Sequence, residues 1–130
     1  MKVLFPKLLV ALALTGCAKS SGPKLSLIGS WKLVDRQCRG CPTSTPDETI
    51  TFTATGFTFY ENGHFVADGT YADMTASLCG GPTTTPVVRF TYRSLKLRPF
   101  NAAAATLANT LMLDYGGECD APIDIYRRRP

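Results

Sequence analysis

The chain predicts an all-β fold, a small antiparallel meander barrel of six to eight strands. From about Leu25 onward, apolar residues recur at period two rather than 3.6. They fall in short runs of Thr, Tyr, Phe and Val, punctuated by Gly, Pro and Asn. A length of 130 residues supports one compact domain. With 45% hydrophobic and 18% charged residues, a packed core is favoured over disorder.

Taken in order, Ser30 to Arg36 forms a first strand, with Trp31, Leu33 and Asp35 on one face. Thr49-Ile50-Thr51-Phe52-Thr53 alternates cleanly and turns Ile50 and Phe52 inward. Phe57 and Phe59 continue the apolar series on odd numbers, a slip of phase that a bulge at Gly56 explains. Asn62-Gly63 is the strongest hairpin signal, because the pair supplies the two positive-φ residues a tight turn requires. Phe65 and Tyr71 lie on the returning strand. Asp73 to Pro86 reads as a loop by composition. Val88, Phe90 and Tyr92 share one face, and Leu95 and Leu97 resume on the opposite parity after a bend at Arg93-Ser94. Asn101 to Ala105 fits a helical turn capped by Asn101, or a loop. Leu111, Leu113 and Tyr115 mark the penultimate strand, and Ile123 and Ile125 the last. Long strands that bend at bulges suit closure into a barrel, which removes exposed edges.

Ahead of this domain, Lys2 and Lys7 with the apolar run Leu8 to Leu14 read as a secretory leader, too short to span a bilayer. Leu14-Thr15-Gly16-Cys17 follows and resembles the lipobox of bacterial lipoproteins. That resemblance implies a signal peptide at 1–16, cleavage before Cys17, and a thiol carrying a diacylglyceryl group beside an amine carrying an acyl chain such as palmitate. Two or three chains give lasting membrane attachment without a span. The small, polar residues after Cys17 make 17–26 a lipidated cysteine with a flexible tether, and 27–130 the barrel domain. The resemblance also implies a cell-envelope location, the periplasmic face of the outer membrane, because no Asp stands at position 18 and no acidic cluster follows. Removing Lys2 and Lys7 with the leader lowers the formal charge from +4 to +2, too weak for a nucleic-acid footprint.

Gly29-Ser30-Trp31 resembles the Gly-x-Trp signature of lipocalins, in which the Trp closes the barrel floor and a late Arg packs over it. Arg127, or its neighbours Arg128 and Arg129, would take that role here. Phe57 to Phe65, Gly69-Thr70-Tyr71 and Ile125-Tyr126-Arg127 resemble the short lipocalin-like, calycin-like domains of lipid-anchored envelope proteins of Bacteroidetes-type bacteria.

Setting Cys17 aside, Cys38, Cys41, Cys79 and Cys119 remain, an even number in an exported chain, where disulfides persist. Cys38-Arg39-Gly40-Cys41 lacks the following helix of a redox pair, and Cys79 and Cys119 lack the close spacing of a zinc site. Six long strands would bring all four to one end, with Cys79 and Cys119 each bonded to one of the first two. Cys38–Cys41 with Cys79–Cys119 is the alternative.

No catalytic constellation, metal set or cofactor loop assembles in the sequence, and a non-enzymatic role is expected. His64 sits exposed just past a tight turn, and Asp114, Glu118, Asp120 and Asp124 read as solvated loop carboxylates or a weak cation site. The expected ligand is a small apolar or amphipathic molecule, lined by Trp31, Phe52, Phe57, Phe59, Phe90 and Tyr92. The rival expectation is a solid barrel that works through its surface, as an envelope interaction or stress-sensing module. A cavity above about 300 Å³ at the cysteine end would favour the ligand.

Overall fold

A computed structural model describes residues 26–130. The leader expected at 1–16, the anchor expected at Cys17 and the expected tether up to residue 25 lie outside the described residues. Eight strands follow in order: β1 (Gly29–Gln37), β2 (Glu48–Phe52), β3 (Gly56–Glu61), β4 (His64–Ala76), β5 (Thr85–Tyr92), β6 (Phe100–Leu107), β7 (Thr110–Asp114) and β8 (Ile123–Arg128). Each pairs antiparallel with the next, and β8 returns to β1, so the sheet closes into a barrel with no free edge.

In such a meander the connections alternate between ends. Connections 53–55, 77–84 and 108–109 leave from the end where the chain enters β1, here the closed end. Connections 38–47, 62–63, 93–99 and 115–122 leave from the other, here the mouth. The core packs toward the closed end, where Trp31, Ile50, Phe52, Phe57, Phe90 and Leu111 are almost wholly removed from water above Leu27. Burial of each such side chain contributes about 1.5–3 kcal/mol. Trp31 Nε1 donates to the Leu27 carbonyl at 2.9 Å, which satisfies the one polar atom of a buried indole.

Several local expectations are corrected. The phase slip at Gly56 is a hairpin rather than a bulge: β2 ends at Phe52, and the Thr53 amide donates to the Gly56 carbonyl at 2.8 Å. Phe52 and Phe57 therefore pair across the turn, both inward. Most of Asp73 to Pro86 is strand, with only 77–84 left as connection. Leu95 and Leu97 belong to no strand and stand exposed in the 93–99 connection. Asn101 to Ala105 is neither helix nor loop but the body of β6, where Ala102 pairs with Val88 and Ala104 with Leu113. Pairing on both sides overrides the helix propensity of alanine.

Real bulges occur elsewhere. One in β1 between Leu33 and Asp35 leaves Val34 as the extra residue against β8. Asp35 consequently faces water and Arg36 turns inward, the reverse of the simple alternation. Another, opposite Phe59 and Tyr60, leaves Val66 as the extra residue of β4. At Gly69 an added Cβ would run into the Thr91 carbonyl, so only glycine lets β4 and β5 approach this closely.

The cysteines pair as Cys38–Cys41 and Cys79–Cys119, with Cα atoms 5.3 and 5.8 Å apart, and not as cross-links between the first two and the last two. The expected pairing rested on six strands. With eight, the 77–84 and 115–122 connections meet, Cys119 Sγ lying 3.8 Å from the Leu78 carbonyl, so Cys79 and Cys119 take each other. Their bridge ties connections whose strands are not neighbours in the ladder.

Candidate binding cavity at the barrel mouth

At the mouth the interior opens into a cavity of about 530 Å³. Its walls come from the mouth-side ends of the strands, because the apolar plug fills the barrel below. Phe59, Tyr92, Phe100, Tyr115, Tyr126 and Ala67 are among the residues that line the cavity. Phe100 is the hub: its ring stacks on Phe90 at 4.6 Å and lies 5.6 Å from Tyr92 and from Tyr115. Phe90 itself belongs to the plug, so Phe100 carries the packed core up into the cavity floor. Offset and edge-on aromatic pairs of this kind add about 0.5–1.5 kcal/mol each beyond burial and hold the wall in shape.

One wall is polar. Arg36 Nε donates to Asp124 Oδ1 at 2.7 Å and Nη2 to Oδ2 at 2.9 Å, a two-pronged pair. The same guanidinium donates to Glu48 through Nη2 at 2.7 Å and Nη1 at 3.2 Å. The Tyr126 hydroxyl donates to Asp124 Oδ2 at 3.4 Å. Arg36 and Asp124 meet because the β1 bulge places them opposite each other on the β1–β8 seam. Glu48 reaches them from the first residue of β2.

Hydrogen bonds donated to Asp124 and then to Glu48 push the Arg36 pKa further up, which keeps it cationic. Burial first, then neighbouring Tyr115 and Asp124, raises the Tyr126 hydroxyl well above its ordinary value. Burial and Asp124 do the same to Tyr115, and burial alone to Tyr92. Three tyrosines whose hydroxyls stay neutral therefore line the cavity beside a paired guanidinium.

Of the residues expected to line a ligand, Phe59 and Tyr92 stand in the wall of this cavity. Trp31, Phe52, Phe57 and Phe90 instead form the plug beneath. Asp124 was expected among solvated carboxylates and is buried in the ion cluster. Asp114 is occupied too, its Oδ1 accepting from the Gly116 and Gly117 amides at 2.8 and 2.7 Å. No group of three metal-ligating side chains occurs among the described residues. His64 is exposed at the start of β4, as expected.

The Gly-x-Trp expectation meets a matching geometry with one change of residue. Trp31 is fully buried, and the arginine over its ring, 4.2 Å from the centroid, is Arg128 rather than Arg127. Register explains the change: Arg128 pairs with Trp31 across the seam, and Arg127 points outward. Gly29 takes φ 132°, and a Cβ there would run into the Arg128 guanidinium, so glycine is required to admit the stack. Compared with known proteins, the chain matches no family model, no curated protein and no solved structure.

Proposed function

We propose that the chain is a lipid-anchored cell-envelope protein whose barrel binds a small apolar or amphipathic molecule in the mouth cavity. The observation that carries this reading is the cavity itself. At about 530 Å³ it lies within the range of small-molecule sites, and it joins aromatic walls to one polar side. An apolar body would lie against Phe59, Phe100 and Tyr92, and a polar head would meet Glu48 and the tyrosine hydroxyls. Binding rather than chemistry is the proposed role, because Arg36 and Asp124 already satisfy one another.

The lipobox-like Leu14-Thr15-Gly16-Cys17 supports lipidation at Cys17, with a leader at 1–16 and an outer-membrane, periplasm-facing location. The Gly29, Trp31 and Arg128 arrangement supports a lipocalin-like assignment. The plugged half is what a solid barrel would show throughout; the open half favours a ligand.

Titration with a neutral fluorescent apolar probe such as N-phenyl-1-naphthylamine tests the reading. Saturable one-to-one binding is expected, weakened at least tenfold by Ala67→Trp, which fills the cavity from β4. Absence of saturable binding, in a barrel shown folded by circular dichroism, would reject it. Native mass spectrometry of the purified chain, read for a co-purified lipid, identifies the natural occupant.

A further inference from the structure

Eight large apolar side chains are exposed among the described residues, and four of them, Phe65, Val66, Leu95 and Leu97, stand on two adjoining segments at one lip of the mouth. Phe65 and Val66 begin β4, and Leu95 and Leu97 occupy the connection from β5 to β6. The two segments are joined: the Arg93 amide donates to the Asp68 carbonyl at 2.8 Å, and Arg93 Nη2 meets Asp68 Oδ2 at 2.9 Å. Val66 and Leu97 also line the cavity, so this lip is its rim. Leu95 is fully exposed and Phe65 is 62% exposed, a cost to solubility that scattered surface residues do not impose when gathered like this.

Charge identifies the occupant. Within Arg93-Ser94-Leu95-Lys96-Leu97-Arg98, cations alternate with leucines, and Arg93 is ion-paired with Asp68. Lys96 and Arg98 are exposed and form no ion pair among the described residues. Asp68 is taken by Arg93, and Glu61 lies across the β3–β4 turn at the cavity edge. The other acids of the mouth connections, Asp47, Glu118 and Asp120, stand on the β1–β2 and β7–β8 connections. Exposed leucines flanked by free cations suit an anionic lipid surface, whose headgroups attract the cations while the leucines enter the interface.

The geometry points to this lip as a docking surface for an anionic bilayer, bringing the mouth against the lipid so that an amphipathic occupant passes between membrane and cavity. The transfer step rests on the ligand-binding reading; the docking step does not.

The test uses residues 18–130, which hold the whole closed barrel and lack the anchoring cysteine, in sedimentation with phosphatidylcholine vesicles and with vesicles containing phosphatidylglycerol. Binding is expected only to the anionic vesicles, and to fall as salt is raised. Leu95→Ser with Leu97→Ser should weaken it at least tenfold, and Lys96→Gln and Arg98→Gln about fivefold each. All four positions are exposed, so the barrel should keep its near-ultraviolet circular dichroism. Equal affinity for both vesicles, or for the chain and its lip variants, would overturn the proposal. So would vesicle indifference with a leucine-dependent dimer, because the lip would then be a contact between copies. Lys96→Gln and Arg98→Gln should leave the solution titration with N-phenyl-1-naphthylamine unchanged, and Ala67→Trp should abolish probe uptake while vesicle binding persists. A chain that binds anionic vesicles but never the probe keeps the lip and loses the cavity reading.

Discussion

The two ends of the β1–β8 seam are built from the same kind of cross-strand pair and do opposite things. Near the closed end Arg128 lies over Trp31, and near the mouth Arg36 grips Asp124. Each pair joins β1 to β8 and so helps close the barrel. At the closed end the arginine covers an apolar plug, and its Nη1 donates to the Ile28 carbonyl at 2.9 Å. At the mouth the arginine bridges two carboxylates, and the space beside it stays open. The Val34 bulge separates them, turning Arg36 rather than Asp35 into the barrel. One extra residue thus sets a cation, rather than a second acid, against the buried Asp124 at the mouth.

Breaking the closed end should have the largest effect. Trp31→Ala removes the centre of the plug together with its bond to Leu27 and its stack with Arg128, and should cost about 4 kcal/mol in urea unfolding. The mouth comes next. Arg36→Met strands a nearly fully buried Asp124, and should cost about 3 kcal/mol. The double variant Arg36→Met/Asp124→Asn should recover most of that loss, because the buried charge disappears with its partner. A double variant no more stable than Arg36→Met would mean that the pair is replaceable by solvent and the mouth is no organised wall.

The closed end was largely legible in the sequence and the mouth was not. In β2, β5 and β7 the large apolar residues recur at every second position, so Ile50, Phe52, Val88, Phe90, Leu111 and Leu113 read directly as inward, although Thr49 and Val87 beside them are buried too. Trp31 reads as buried through the Gly-x-Trp resemblance, in which it closes the barrel floor. In β8, by contrast, Ile123 and Ile125 are the conspicuous residues, yet the buried ones are Asp124 and Tyr126. Alternation alone favours the wrong face there, because the cavity needs its polar residues inside. Arg36 is hidden by the bulge, and Phe100 by the alanines after it, which look like a helical turn. Only long-range pairing decides those positions, and pairing is not written in local periodicity.

Alkaline pH offers a graded probe of the mouth. Tyr115 and Tyr126 are raised above the ordinary tyrosine value of 10.0, chiefly by burial. Above pH 10 the unfolded chain releases protons that the folded barrel keeps, so stability is complete below that pH and falls as pH rises. The slope should be about 1.4 kcal/mol per pH unit for each tyrosine, until the folded groups themselves ionise. Urea midpoints measured from pH 9 to pH 11 should show it, and Tyr126→Phe should shallow the decline. An unchanged slope in that variant would place the alkaline sensitivity elsewhere.

The smallest expected effect tests whether the closing arginine is as essential as its motif suggests. In Arg128→Gln the backbone bond from residue 128 to the Asn109 carbonyl, 2.7 Å in the native barrel, survives, since it involves no side-chain atom. What goes is the cation over Trp31 and the bond to the Ile28 carbonyl, together about 1 kcal/mol for a partly exposed group. The indole remains packed on Leu27, Leu33 and Ile50, so tryptophan emission should shift only slightly to the red. A loss comparable to that of Trp31→Ala would mean that the arginine, and not the aromatic plug, seals the closed end. The two ends would then be alike after all, each organised by a guanidinium on the same seam.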